Sequence, residues 1–219
     1  PVKLVITNYP EGKSETVTVE NNPTDPASGT HEITFSRECW IEADDFMEVP
    51  VPKYKRLTPN GPECRLKGAY LITCTGCKKD ENGNVVEVYA EYDPNSPGGD
   101  PADGRKVKGA TIHWVDAATA LDAEVRVYSE LFSDASPDGA DKDFLACMNP
   151  DSLEVLSGCK VEPRMRDIAA AYDKTEKKGK TAPGFQFMRL GYFCLDNKDC
   201  TAEHLVFNRS VTLKDSFKK

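Results

Sequence analysis

The stretch around Asn82-Gly83 constrains the fold more than any other part of this chain. "DENGN" (80–84) is followed at once by "VVEVYAEY" (85–92), in which side chains of opposite polarity tend to alternate. An Asn-Gly pair adopts the left-handed backbone of tight hairpin turns. Alternation with a period of two puts one kind of side chain on each face of a strand. The turn therefore predicts that the residues before it fold back on Val85–Tyr92. Similar short segments recur at "TVTV" (16–19), "EITF" (32–35), "VKGATIHWV" (107–115), "AEVRVYSELF" (123–132), "FQFMRLGYFCL" (185–195) and "VFNRSVTL" (206–213). Gly, Pro, Asn and Asp punctuate them. A second Asn-Gly turn, "TPNGPE" (58–63), predicts a hairpin pairing Lys53–Leu57 with Cys64–Ile72. Helical patterns are short, at "DKDFLACM" (141–148) and "MRDIAAAY" (165–172). No unit of 20 to 50 residues repeats. The expected class is all-β, built as barrels rather than as a parallel α/β sheet. Four stretches read as loops: 22–29, 93–104, 133–143 and the lysine-rich 173–184.

A length of 219 residues suits one large domain or two small ones, and 39% hydrophobic with 29% charged residues describes a soluble globular chain. No apolar run approaches the ~20 residues of a membrane span, so no membrane partner is expected. "PVKLVITNYP" carries neither an initiator Met nor a signal-peptide pattern, and we read the chain as a piece of a longer one. The eight cysteines are irregularly spaced and several sit in strand patterns, such as Cys39-Trp40-Ile41. This favours reduced thiols and a cytoplasmic location over a disulfide framework. Cys74 and Cys77 have a metal-like spacing, but a structural zinc site needs four ligands and no second pair accompanies them. No metal site is expected. The histidines His31, His113 and His204 are scattered, and acidic pairs such as Asp44-Asp45 read as solvated surface beside turns. Phosphate-binding, zinc-protease and serine-hydrolase motifs are absent, so no catalytic residue is assigned.

Against a formal charge of −8, five cations lie between Lys53 and Lys67 (Lys53, Lys55, Arg56, Arg65, Lys67), with only Glu63 opposing them. In the expected hairpin, Lys53 and Lys55 share a face and Arg56 takes the other. Like charges side by side on a sheet are destabilising, so their concentration suggests an anionic partner. Tyr54 and Tyr70 flank the cations, and this mixture suits single-stranded RNA. A solvated edge guarded by lysines fits the charge equally well.

Further stretches separate these readings. "PVKLVI", "YKRL" (54–57), "DPADGRKVKGATIHWV" (100–115), "EVRVYSELFS" (124–133), "FQF" with Arg189 and "GYFCLD" (185–196), and "VFNRSVTLKDSF" (206–217) occur in this order. Together they resemble the C-terminal anticodon-binding region of bacterial-type glutaminyl-tRNA synthetases, class I aminoacyl-tRNA synthetases. The resemblance implies two β-barrels, one inserted in the other: a proximal barrel from residues 1–45 and 134–219, and a distal barrel from 46–133. It implies a monomeric, cytoplasmic parent enzyme that attaches glutamine to its tRNA. ATP and magnesium would be used by an upstream catalytic domain, and this segment would hold no cofactor. The partners implied are the anticodon loop of glutamine tRNA and the catalytic domain of the same chain.

On the family's pattern, Arg56 grasps the third anticodon base, a guanine whose O6 and N7 suit an arginine fork, with Lys55 beside it and Lys53 in place of a glutamine. Arg65 and Leu66 match the pocket for the first base, where Lys67 replaces an arginine. Gln186 and Arg189 match the family's "QF-x-R" contacts, with Gln186 suited to the Watson–Crick edge of the central uracil and Met188 in place of a glutamate. Pro23 and Thr24 fall in a loop touching the widened anticodon, Thr24 replacing an asparagine. A glutamyl-tRNA synthetase of the archaeal and eukaryotic kind is an alternative parent. A secreted, disulfide-bonded carbohydrate-binding β-domain is the alternative from another class.

Overall fold

The computed structural model describes residues 1–139, 141–174 and 181–213. They fall into two units, Pro1–Ala120 and Leu121–Lys219. Both are built from β-sheet, as the class expected from sequence requires, and the one α-helix among the described residues lies in the second.

The first unit contains β1 (Val2–Ile6), β2 (Ser14–Glu20), β3 (Thr30–Ser36), β4 (Glu38–Ile41), β5 (Cys64–Leu66), β6 (Leu71–Lys79), β7 (Val85–Tyr92), β8 (Thr111–Ile112) and β9 (Val115–Asp116). Seven of them form one sheet in the order β8-β5-β6-β7-β1-β4-β9, and β2 and β3 form a separate hairpin. The sheet's two edge strands, β8 and β9, are separated by only His113 and Trp114. Laid flat, seven strands would put those edges about 29 Å apart. The three Cα–Cα steps from Ile112 to Val115 reach at most about 11 Å. The sheet must therefore curl until its edges approach, which is how a β-sheet begins to close as a barrel. Alternate residues Val2, Leu4 and Ile6 of β1 fill the interior, with Leu66, Ile72, Val88 and Ile112. Phe35 of β3 caps it, edge-on to Trp114 at 5.1 Å and to Tyr9 at 5.1 Å.

The second unit contains β10 (Leu121–Tyr128), β11 (Leu153–Val161), α1 (Arg164–Ala171), β12 (Gly184–Phe187), β13 (Gly191–Leu195) and β14 (Leu205–Val211). Its sheet runs β11-β10-β14-β13-β12, with β10 parallel to β14. Val125, Phe193, Leu195 and Phe207 make its core, and α1 adds Ala169.

The structure divides near residue 120 into its two compact units, while the nested barrels of 1–45 with 134–219 and of 46–133 stay what the resemblance implies. The cause of this division is pairing: β1 lies between β7 and β4, so strands from 1–45 complete the same sheet as strands from 64–116. Several expectations need correction. The hairpin of Lys53–Leu57 with Cys64–Ile72 does not form. Residues 110–112 arrive instead: Arg65 N donates to Ala110 O (3.0 Å) and Ala110 N to Lys55 O (2.8 Å). β5 then pairs with β8 on one side and β6 on the other. Residues 107–115 make two short strands rather than one, 188–190 interrupt the strand expected over 185–195, and β10 stops at Tyr128. Residues 141–148 form turns, not a helix, whereas α1 falls where 165–172 predicted one. Half of the lysine-rich loop, 175–180, lies outside the described residues. The hairpin through Asn82-Gly83 forms as predicted, with Asp80 N donating to Asn84 O at its neck. No helix among the described residues is long and apolar enough to cross a membrane.

Candidate nucleic-acid interface

The basic stretch of the first unit sits on irregular backbone tied to three neighbours. Leu57 N donates to Asp45 O (2.9 Å) and Met47 N to Leu57 O (3.0 Å), which lashes residues 53–57 to the 3-10 turn Ala43–Asp45. Gly109 is required where the 107–112 segment crosses: a Cβ there would lie 2.2 Å from Glu63 O and 2.7 Å from Cys64 Sγ. Only a residue without a side chain permits this approach. Lys53 has a left-handed backbone (φ 69), so the regular alternation expected of Lys53, Lys55 and Arg56 is lost. Lys53 and Lys55 are nevertheless exposed and Arg56 is half-buried.

Arg56 is held from beneath. Its Nη1 donates to Asp44 O (3.0 Å), and its Nε lies 3.5 Å from Asp45 Oδ1. Asp45 is 0% exposed, so the solvated acid expected from sequence is instead a buried counter-ion. Tyr54 Oη donates to the same Asp44 O (2.9 Å). Burial pushes the Tyr54 phenol up to about 12, helped by Asp45 and Asp44 and opposed by Arg56, so Tyr54 stays a neutral donor. Since Asp45 is enclosed while the Arg56 side chain is 34% exposed, the pair lies between two regimes. Removing the arginine should cost more than the ~0.2–1 kcal/mol of exposed pairs and less than the ~3–5 kcal/mol of fully buried ones.

Arg65 is fixed differently: Nε donates to Gly99 O (2.8 Å), and Nη2 faces Asp100 Oδ1 at 3.5 Å. Lys67 is half-exposed, and its carbonyl accepts from the Trp114 indole (3.0 Å). Leu66 is 0% exposed, so its side chain belongs to the core. The structure adds two cations that the charge argument passed over, Lys106 and Lys108. Both are exposed on the segment leading to Gly109 and Ala110. Their neighbour Arg105 is occupied internally by Glu63, Asp93 and Asp103, and these partners raise its pKa further. Pro23 and Thr24 are exposed in the connection from β2 to β3. There Asn22 Oδ1 accepts from Thr24 N (3.0 Å) and Thr24 Oγ1 (2.8 Å).

In the second unit, Phe185 and Phe187 turn inward while Gln186, between them, is exposed on β12. Phe187 stacks on Phe193 at 4.3 Å and fixes that alternation. Gln186 is paired across the sheet with Tyr192, which is 47% exposed. Directly paired residues project from the same face, so an amide and an aromatic ring stand side by side. Tyr192 was not singled out from the sequence, although an exposed aromatic on alternating sheet is a recognisable stacking surface. Arg189 is half-buried in the turn joining β12 to β13, with φ 67 and Leu190 N donating to Phe187 O (2.9 Å).

Each unit thus presents polar side chains suited to RNA: cations and an anchored guanidinium on the first, an amide and a ring on the second, where Arg189 keeps its Nε and Nη1 buried. Among the described residues, no group of three or more His, Cys, Asp or Glu could hold a metal ion.

Comparison with known families agrees with this chemistry. The family model described as "tRNA synthetases class I (E and Q), anti-codon binding domain" matches residues 1–93, and a second model of the same description matches residues 111–196. Glutamine–tRNA ligase of Bordetella pertussis is 51% identical over 218 residues, covering 99% of this chain and 35% of that protein. The Clostridioides difficile glutamine–tRNA ligase is also 51% identical over 218 residues, covering 100% of this chain and 37% of that protein. The chain therefore spans little more than a third of the length of these relatives. Matched along most of its length by both models, the chain belongs to the anticodon-binding domains of the class I tRNA synthetases for glutamate and glutamine.

Proposed function

We propose that this chain is the anticodon-reading part of a glutamine–tRNA ligase, and that it selects glutamine tRNA for a catalytic domain of the same enzyme. The observation that carries this reading is the anchored Arg56. Its Nη1 is hydrogen-bonded and its Nε faces a buried carboxylate on the protein side, while neighbouring Lys53 and Lys55 remain exposed to meet phosphate. In this reading Arg56 pairs with guanine at the third anticodon position, and Arg65 and Lys67 attend the first base. Gln186 and Arg189 attend the central uracil, with Pro23 and Thr24 against the loop. Leu66 contributes through packing that holds Arg65 and Lys67 in place. ATP and magnesium serve the catalytic part of the enzyme, and no residue here is assigned to them. A cytoplasmic location suits eight cysteines of which none is in a disulfide in the structure, and we take the enzyme to act as a monomer.

The test is titration of the chain with a glutamine anticodon stem-loop, and with the same stem carrying an unrelated loop, at several salt concentrations. The anticodon loop should bind more tightly. If three to four phosphates are neutralised, its log–log salt slope should lie near −2 to −3, at about −0.7 per contact. Equal binding of both loops, or a flat salt response, overturns the reading.

A further inference from the structure

Asp45 had no role in the resemblance and looked like surface in the sequence, yet it is a fully enclosed acid (0% exposed). Aspartate is almost never fully buried unless paired, and the cation it faces is the arginine assigned to the third anticodon base. We propose that Asp45 is a positioning residue for base selection: it fixes which edge of the Arg56 guanidinium faces outward. This inference rests on the reading of Arg56 given above.

The geometry supports a grip rather than a chance contact. Asp45 Oδ1 stands 3.5 Å from Arg56 Nε, while Arg56 Nη1 gives one hydrogen to Asp44 O at 3.0 Å. A guanidinium has five N–H donors in a rigid plane. The Asp44 carbonyl takes one hydrogen of Nη1 and the Asp45 carboxylate faces Nε as a charge without a hydrogen bond, so the edge formed by Nη1 and Nη2 is the one left toward a ligand. Parallel donors from Nη1 and Nη2 are what guanine O6 and N7 accept. The backbone on each side is clamped, with Leu57 N bonded to Asp45 O and a bridge between Phe46 and Leu57. Carboxylate and guanidinium are therefore held in fixed register. An arginine without such a partner samples many rotamers and meets phosphates from any of them, which gives affinity without selection. Held in place, the same group loses less freedom on binding and reaches only one kind of base edge.

The experiment compares the wild-type chain with Asp45→Asn and Arg56→Lys. Each is titrated with two stem-loops that differ only in guanine or cytosine at the third anticodon position. Asp45→Asn keeps the side-chain shape and removes the charge. The expected result is a fall of at least about fivefold in the guanine-to-cytosine affinity ratio, with binding of the cytosine loop almost unchanged. Equal weakening of both loops would mean that Asp45 supports only the fold, and an unchanged ratio would mean that it supports nothing at the base. Either overturns the proposal.

Arg56→Lys keeps a cation beside Asp45 but loses the fork. If it selects guanine as well as wild type does, the reading of Arg56 itself fails, a result distinct from failure at Asp45. The free wild-type chain provides a check that no folding defect can blur. Nuclear magnetic resonance should find the Arg56 Nε–H ordered and slowly exchanging without RNA. A freely rotating guanidinium contradicts the proposal.

Discussion

Removing the Arg56 side chain changes two things at once, because the group that faces RNA in our reading also neutralises Asp45. Arg56→Ala should weaken a glutamine anticodon stem-loop by about 1–3 kcal/mol and relax choice at the third base. It should also lower the melting temperature. Lys55→Ala should weaken all loops evenly and leave the melting temperature alone, since an exposed lysine supplies mainly charge. Titration and thermal unfolding of both variants check this, and equal loss on guanine and cytosine loops for Arg56→Ala would make Arg56 a phosphate contact. The donors of Arg56 were legible from residue type alone. Its anchor was not, because Asp45 sits eleven positions away and beside a turn, where acids are usually solvated. Leu66 is the opposite case. Motif correspondence ranked it with Arg65, but alternation along β5 sends Arg65 outward and Leu66 into the core.

At the scale of elements, some local signals held and others, such as the helix expected over 141–148, did not. The β6–β7 hairpin was legible because its turn and its alternation are contiguous. The hairpin expected of Lys53–Leu57 does not form, because the place beside Arg65 is taken by Ala110, forty-five positions along the chain. Strands of two or three residues, such as β5, β8 and β9, are too short to show a period. β11 was overlooked because most of its residues are exposed and no face reads as apolar. The β12–β13 hairpin gives a prediction of its own. Tyr192→Ala should weaken RNA binding by about 1–3 kcal/mol, the usual range for a base–aromatic stack. Because the ring is exposed and lies outside the core, the melting temperature should change little. Unchanged affinity in a titration would remove Tyr192 from the interface.

At the scale of the molecule, the redox state separates an intracellular RNA reader from a secreted, disulfide-bonded domain. All eight thiols should react in denatured, unreduced protein. In the native chain Cys39, Cys64 and Cys74 should react slowly, because burial raises all three, with Cys64 and Cys74 pushed up to about 11. The thiolate is the reactive form, so these side chains are protonated as well as enclosed near neutral pH. Fewer than eight titratable thiols would point to disulfides and to the secreted alternative. The all-β class was legible at this scale from turn punctuation, whereas the boundary near residue 120 depends on which strands complete a sheet.

The central claim is that this chain reads a glutamine anticodon, and the direct measurement is the affinity of wild-type protein for two stem-loops identical except at the third anticodon base. Guanine should be preferred over cytosine by about 1–3 kcal/mol, the discrimination expected of one good arginine fork. Equal affinity would contradict base reading at Arg56, and a preference for cytosine would assign the chain to glutamate tRNA instead.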